Sequence, residues 1–258
     1  MKYLWAGWDK MKDGLTSRKK KLVFLDFDGT LVSIAESPSA VRVDPRTKNV
    51  LRTLSADDHV QLVIISGRPL NELRRYLHLK NAVIVGNHGL EINGRGMQLP
   101  PNAKKSRKMK KLIGILSQKF KMAFACYPGI WVEDKHYTMS IHFRKLPRGQ
   151  GAIFWELVWF FRQKYKKYPI SWMRGKKVME IRPSIFWGKG ETVNYLMGKF
   201  PRAVPVAIGD DKMDEEMFRA LKGRGGVSVR VGYSRSSLAD YYLSSPYDVK
   251  VFLQKLCP

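Results

Sequence analysis

The stretch KLVFLDFDGTLVSI, residues 21–34, decides the fold. Its first five residues have the apolar density of a strand buried on both faces. The run then ends in Asp26 and Asp28, one residue apart, followed by Gly29 and Thr30. Burying an ionised carboxylate without a partner is costly, so a positive charge is expected at this strand end. Two other apolar runs finish in polar groups: HVQLVIISGR (59–68) in Ser66, and AVPVAIGDD (203–211) in Asp210 and Asp211.

Helical segments separate these strands. Asp44-Pro45 reads as the N-cap and first residue of a helix through about Leu54. Leu70, Leu73 and Leu77 share one face of a second helix over 71–79. NAVIVGNHGLE (81–91) is a further short strand running into a Gly-rich turn. Apolar strands alternating with helices indicate a parallel sheet covered on both faces.

From about Gln98 the texture changes. A Pro-Pro break precedes a Lys-rich helix to about Lys121, and three extended pieces follow: MAFACY, IWVEDK and TMSIHFR. A helix over about 150–165 and the strands PISWMR and KVMEIRP complete the segment. The parallel pattern then resumes: helices over 189–200 and 212–221, strands GVSVRVG and DYYL, and a final helix from Pro246 to Leu256. The expected fold is α/β: a doubly wound parallel-sheet core (1–97 and 181–258) with a smaller inserted α+β domain (98–180). The first 20 residues read as frayed, with Trp5 and Trp8 able to pack on the body.

With 258 residues, 44% hydrophobic and 27% charged, the composition is that of a globular protein with a sizeable core. The longest apolar run, AIFWELVWFF (152–161), is too short for a membrane span and contains Glu156. The N-terminal residues lack the apolar run of a signal peptide. Two cysteines, Cys126 and Cys257, do not make a disulfide framework, so a reducing, cytoplasmic setting is expected. The 47 Lys and Arg against 22 Asp and Glu give a net charge of +25. Residues 98–180 hold 19 of the basic and 4 of the acidic residues. Such a field attracts anions, although solvated helix faces explain it as well, and no nucleic-acid module motif accompanies it.

In an open parallel sheet, ligands sit beyond the carboxyl ends of the strands. Asp26, Asp28, Ser66, Asp210 and Asp211 gather there, and so many carboxylates repel one another unless a cation is bound. Oxygen ligands without His or Cys suit Mg²⁺ shared with a substrate phosphate. Asp26 can then attack phosphorus, and Asp28 can protonate the leaving oxygen and later activate water. Ser66 is placed to donate to a phosphate oxygen, and Lys189, at a helix start, to offset developing charge. In isolation the Asp-x-Asp pair reads equally as a loop cap, and Asp210 and Asp214 as helix caps. Glu133, Asp134 and Lys135 alone read as an exposed strand end, and His142 as a packing residue. Trp155, Trp159, Phe160 and Phe161 read as helix core.

DFDGTL, ISGR and GDD together resemble the catalytic motifs of haloacid dehalogenase-like phosphatases. GNHGLE, VEDKHYTMSIHFR, KVMEIRP, WGKGE, GDDKMDEEMF and LADYYLSSPYDVKVFLQKL, in this order, resemble the trehalose-6-phosphate phosphatases from about residue 21 onward. The resemblance implies an Mg²⁺-dependent phosphatase of trehalose biosynthesis, acting through an aspartyl-phosphate. It gives Asp26 the nucleophile's role and Asp28 that of acid/base and backbone ligand of the metal. Asp210 takes the metal carboxylate's role, supported or replaced by Asp214, and Ser66 and Lys189 bind phosphate. The inserted domain becomes a cap, with Glu133, Lys135, Arg144 and Glu180 at sugar-recognition positions. Arg68, Asn87 and His88 lie in core loops that face it. Met213 stands where the family has Thr, which implies altered metal affinity or rate. A monomer is expected, with an acidic partner for the basic cap as a further expectation. Alternatives are a sucrose-phosphate or mannosylglycerate-phosphate type phosphatase, or a non-catalytic anion-binding protein.

Overall fold

The computed structural model describes residues 1–16, 19–35, 40–99, 103, 105, 108–147, 149–175, 177–184 and 187–256. The Pro-Pro break and Cys257 lie outside the described residues. The chain begins with β1 (Lys2–Tyr3), α1 (Trp8–Thr16), β2 (Lys21–Leu25), α2 (Pro45–Ala56) and β3 (Val60–Ile65). Next come α3 (Leu70–Tyr76), β4 (Val83–Gly86), β5 (Glu91–Asn93), α4 (Lys110–Phe124), β6 (Trp131–Asp134) and β7 (Met139–His142). α5 (Gly151–Lys164), β8 (Ile170–Gly175), β9 (Val178–Pro183), α6 (Lys189–Lys199) and β10 (Val204–Gly209) follow. The last elements are α7 (Glu215–Leu221), β11 (Val227–Val231), β12 (Tyr241–Leu243) and α8 (Pro246–Leu256). They form two compact units, 1–98 with 187–258, and 99–186.

The first unit is built on an eight-stranded sheet in the order β1-β12-β11-β10-β2-β3-β4-β5. All its pairings are parallel except β4 with β5. Continuous apolar runs are what such a sheet needs, since helices cover both faces. Along β2, Val23 and Leu25 enter one core with residues of α2 and α8, while Leu22 and Phe24 enter the other with residues of α6 and α7. Leu62 and Ile64 of β3 join the first core, and Val63 and Ile65 the second. Asp44 starts α2 as expected, its side chain accepting from the Arg46 N–H at 3.1 Å.

The first residues are not frayed. β1 pairs with β12, Leu4 and Leu15 are buried, and the Trp5 and Trp8 rings lie 6.3 and 6.0 Å from Phe252. Leu4, Trp8, Met11 and Leu15 recur at three- and four-residue spacing, so they form one apolar stripe that docks on the first core.

The second unit is a four-stranded antiparallel sheet, β6-β7-β9-β8, sharing a core with α4 and α5. It runs to 186 because β9 is an inner strand, between β7 and β8. The expected strand at MAFACY is not formed. Phe120 and Phe124 extend the buried stripe of Ile113, Leu116 and Ser117, so α4 continues through Phe124. The helix-core expectation for α5 also needs correction. Phe161 is buried and Trp155 half-buried, but Trp159 and Phe160 are 63% and 52% exposed. Phe154, Val158 and Phe161 already fill the inner side of α5.

Candidate active site

β2 lies between β10 and β3. The chain proceeds from β2 through β3 to β4 on one side and returns to the other side at β10. This reversal is the topological switch point at which open α/β sheets bind ligands. The Asp26 N–H donates to the Ile208 carbonyl at 2.9 Å, which ties the end of β2 to β10. Asp26 and Asp210 therefore emerge side by side.

Lys189 is the partner that the opening strand requires. It starts α6 and is buried, and its Nζ donates to Asp26 Oδ1 at 2.7 Å and Asp214 Oδ1 at 2.6 Å. Asp214 is fully buried, and its second oxygen accepts from the N–H groups of Asp210 (2.9 Å) and Asp211 (3.0 Å). Asp211 Oδ1 accepts from the N–H groups of Met213 (2.7 Å) and Asp214 (3.2 Å). The expected helix over 212–221 is accordingly a carboxylate-pinned turn followed by the shorter α7. Met213 is buried in that turn.

Burial pushes the Asp26 carboxyl well above the usual carboxylate range. Lys189 pulls it down, while Asp214, Asp210 and Asp211 push it further up. Asp210 is pushed up to about 7 by burial and then by Asp214 and Asp211. Burial alone would lower the Lys189 ammonium, but Asp214 and Asp26 outweigh it and hold it well above its ordinary value. One ammonium does not neutralise this many carboxylates. Ligand oxygens of Asp26, Asp210 and Asp214 lie within 4.8 Å of one another. An oxygen-only set with this excess negative charge fits a hard divalent cation.

Gly29 makes room for the group. Its φ is +86°, and a Cβ there would lie 2.3 Å from Asp210 Cγ. Gly29→Ala is expected to displace the Asp210 carboxylate and weaken binding of a divalent cation by about ten-fold or more. Calorimetric titration of the protein with divalent cations checks it: the dissociation constant should rise.

The Asp28 side chain does not join the group formed by Asp26, Asp210 and Asp214. Arg68 holds it through two bonds, Nε to Oδ2 at 2.6 Å and Nη2 to Oδ1 at 2.8 Å, the fork geometry that suits a carboxylate. Arg68 also pairs with Glu72, and its guanidinium lies 5.5 and 5.7 Å from the Phe27 and Tyr76 ring centroids. Buried Ser66 accepts from the Arg68 N–H at 3.2 Å through its hydroxyl. Its carbonyl accepts from the His88 N–H at 2.9 Å. Asn87 and His88 adopt φ of +48° and +56°, and Asn87 Nδ2 donates to Glu91 at 2.7 Å. Glu72 and Glu91 are site residues that sequence reasoning misses. Glu72 sits four residues after Arg68 at a helix start, a legible pairing signal; Glu91 carries none.

Within the second unit, Glu133, Ser140 and Glu180 are cross-strand neighbours on β6, β7 and β9. Glu133 Oε2 lies 2.8 Å from His142 Nε2 and 4.0 Å from Lys135 Nζ. The Trp131 ring stacks on His142 at 4.0 Å. Glu180 is buried, and Arg144 lies exposed in the turn after β7.

The doubly wound sheet shares its fold with a phosphatase of the haloalkanoate enzyme superfamily from Bacteroides thetaiotaomicron, which superposes with a TM-score of 0.52 at 16% identity. The pattern described as Trehalose-phosphatase matches residues 24–247. The chain belongs to the trehalose-phosphatase family. Trehalose-phosphate phosphatase B of Arabidopsis thaliana is 29% identical, over 92% of this chain and 66% of its own length. A trehalose 6-phosphate phosphatase of Zea mays is 30% identical, over 92% and 70%. The chain thus spans about two thirds of the length of these curated relatives. The C-terminal domain of the Candida albicans trehalose-6-phosphate phosphatase superposes with a TM-score of 0.82 over 96% of each chain, at 24% identity.

Proposed function

We propose that the chain hydrolyses trehalose 6-phosphate to trehalose and phosphate through an aspartyl-phosphate on Asp26. The observation that carries this reading is the Lys189 bridge between Asp26 and Asp214, which orients Asp26 while leaving Oδ2 for attack. That oxygen forms a bond to phosphorus as the bond from phosphorus to the sugar oxygen breaks. Asp28 gives the leaving oxygen its proton, then takes one from water, which attacks the phosphoryl group and frees Asp26. Both Asp28 oxygens accept from Arg68, and each keeps a further lone pair for the proton. Ser66 donates to a phosphate oxygen, and Lys189 offsets charge on the reacting group. Mg²⁺, held by Asp26, Asp210 and Asp214, would neutralise the phosphoryl oxygens.

The second unit is proposed as the sugar-recognising cap, with Glu133, Lys135, Arg144 and Glu180 pairing with hydroxyls. Arg68, Asn87 and His88 are proposed to contribute from the core loops. A sugar hydroxyl matched by such groups is discriminated strongly, because its loss leaves a buried polar group unpaired. The similarity to two plant trehalose-phosphate phosphatases supports this substrate.

Phosphate release from a panel of sugar phosphates, with and without Mg²⁺, tests the reading. Trehalose 6-phosphate should be turned over at least about 10²-fold faster than glucose 6-phosphate or sucrose 6-phosphate. Removal of Mg²⁺ by chelation should abolish turnover. Faster hydrolysis of another glycosyl phosphate would replace the substrate and keep the chemistry.

A further inference from the structure

The helical layer of the second unit carries a surface that the proposed reaction does not use. α4 and α5 bury one side each, with the Phe120 and Phe161 rings 4.4 Å apart. Their opposite sides are exposed but not uniformly polar. On α4, Ile115 and Met122 are 47% and 77% exposed and stand two turns apart, with Lys111 and Lys119 exposed on the same side. On α5, Ile153, Trp159 and Phe160 are exposed, and Lys164 Nζ lies 5.7 Å from the Phe160 ring centroid. Arg162 lies in the last turn of α5, and Lys166 and Lys167 extend the basic character past its end. Glu156 is the sole acidic residue in either helix, and residues 99–186 hold 20 Lys and Arg against 4 Asp and Glu.

We propose that this face docks on an anionic lipid membrane. Helices that lie in a membrane interface pair large apolar side chains, seated at the boundary of headgroups and acyl chains, with lysines that reach anionic headgroups. Trp159, Phe160, Ile115 and Met122 supply the first group, and Lys111, Lys119, Lys164 and Lys167 the second. Lysine stems can lie along the apolar surface while their ammonium groups stay wet. Nucleic acid would satisfy the lysines, and single strands could stack on Trp159. Neither gives the aliphatic Ile115 and Met122 an apolar partner, which acyl chains do. No helix among the described residues is long and apolar enough to cross a membrane, so the attachment is peripheral.

The test is co-sedimentation of the full chain with phosphatidylcholine vesicles, with and without about one third phosphatidylserine. Binding should be at least about ten-fold tighter to the anionic vesicles. Trp159→Ser with Phe160→Ser, and separately Lys111→Glu with Lys119→Glu, should each weaken it by about ten-fold or more. The thermal midpoint and phosphate release should be unchanged. Lys10→Glu with Lys80→Glu, on the other unit, should leave binding intact. Equal binding to neutral vesicles, no binding, an equal loss in the Lys10/Lys80 control, or wild-type binding by the α4 and α5 variants would overturn the proposal. So would tighter binding to DNA than to the anionic vesicles.

Discussion

Asp26→Asn is expected to lower phosphate release from trehalose 6-phosphate by about 10⁴-fold or more, with the fold intact. Asparagine keeps the shape of the side chain and one carbonyl oxygen for the Lys189 ammonium, now 2.7 Å from Asp26 Oδ1. It removes the proposed nucleophile. It also removes a carboxylate that burial and three neighbouring aspartates disfavour, so the thermal midpoint should hold or rise. Steady-state rates together with thermal melts check both halves. Activity within about ten-fold of the parent would move the nucleophile away from Asp26.

Lys189→Met carries the largest expected cost in stability, about 3–5 kcal/mol by urea denaturation, together with loss of activity. The substitution leaves the carboxylates of Asp26 and Asp214 buried without their shared ammonium, which now sits 2.7 and 2.6 Å from them. Adding Asp214→Asn should recover about 1–3 kcal/mol, because one uncompensated charge is then gone. The introduced amide keeps a carbonyl oxygen that can accept from the Asp210 and Asp211 N–H groups, as Asp214 Oδ2 does. A Lys189→Met protein within about 1 kcal/mol of the parent would show that the bridge does not hold the site together.

Much of the core is legible in the sequence because its signals are local. Three apolar runs, each ending in Asp or Ser, specify strands buried on both faces with polar groups at one sheet edge. The site inherits its position from that pattern. What is not legible depends on contacts far apart in the chain. The first residues resemble a frayed end until β1 finds β12, 239 residues on by the Lys2–Tyr241 register. MAFACY has strand-like composition, but the stripe ending in Phe120 and Phe124 makes its first half helical. DFDGTL shows Asp26 and Asp28 as a pair with different expected roles, but not what each side chain binds. Their separation follows from Arg68, 40 residues later, which claims Asp28, and from Lys189, which claims Asp26. Asp214 reads as an ordinary helix cap, yet it holds both Lys189 and the turn carrying Asp210. Trp159 and Phe160 mislead because an aromatic-rich helix suggests core, and five aromatic residues exceed what one buried stripe can take.

Asp26 is expected to become covalently phosphorylated during turnover. Rapid acid quench of the Mg²⁺-loaded protein mixed with trehalose 6-phosphate, followed by peptide mass spectrometry, tests it most directly. A phosphoryl adduct on Asp26 should form within one turnover and be absent from Asp26→Asn. Full turnover with an adduct on another residue, or undiminished hydrolysis by Asp26→Asn, would contradict it.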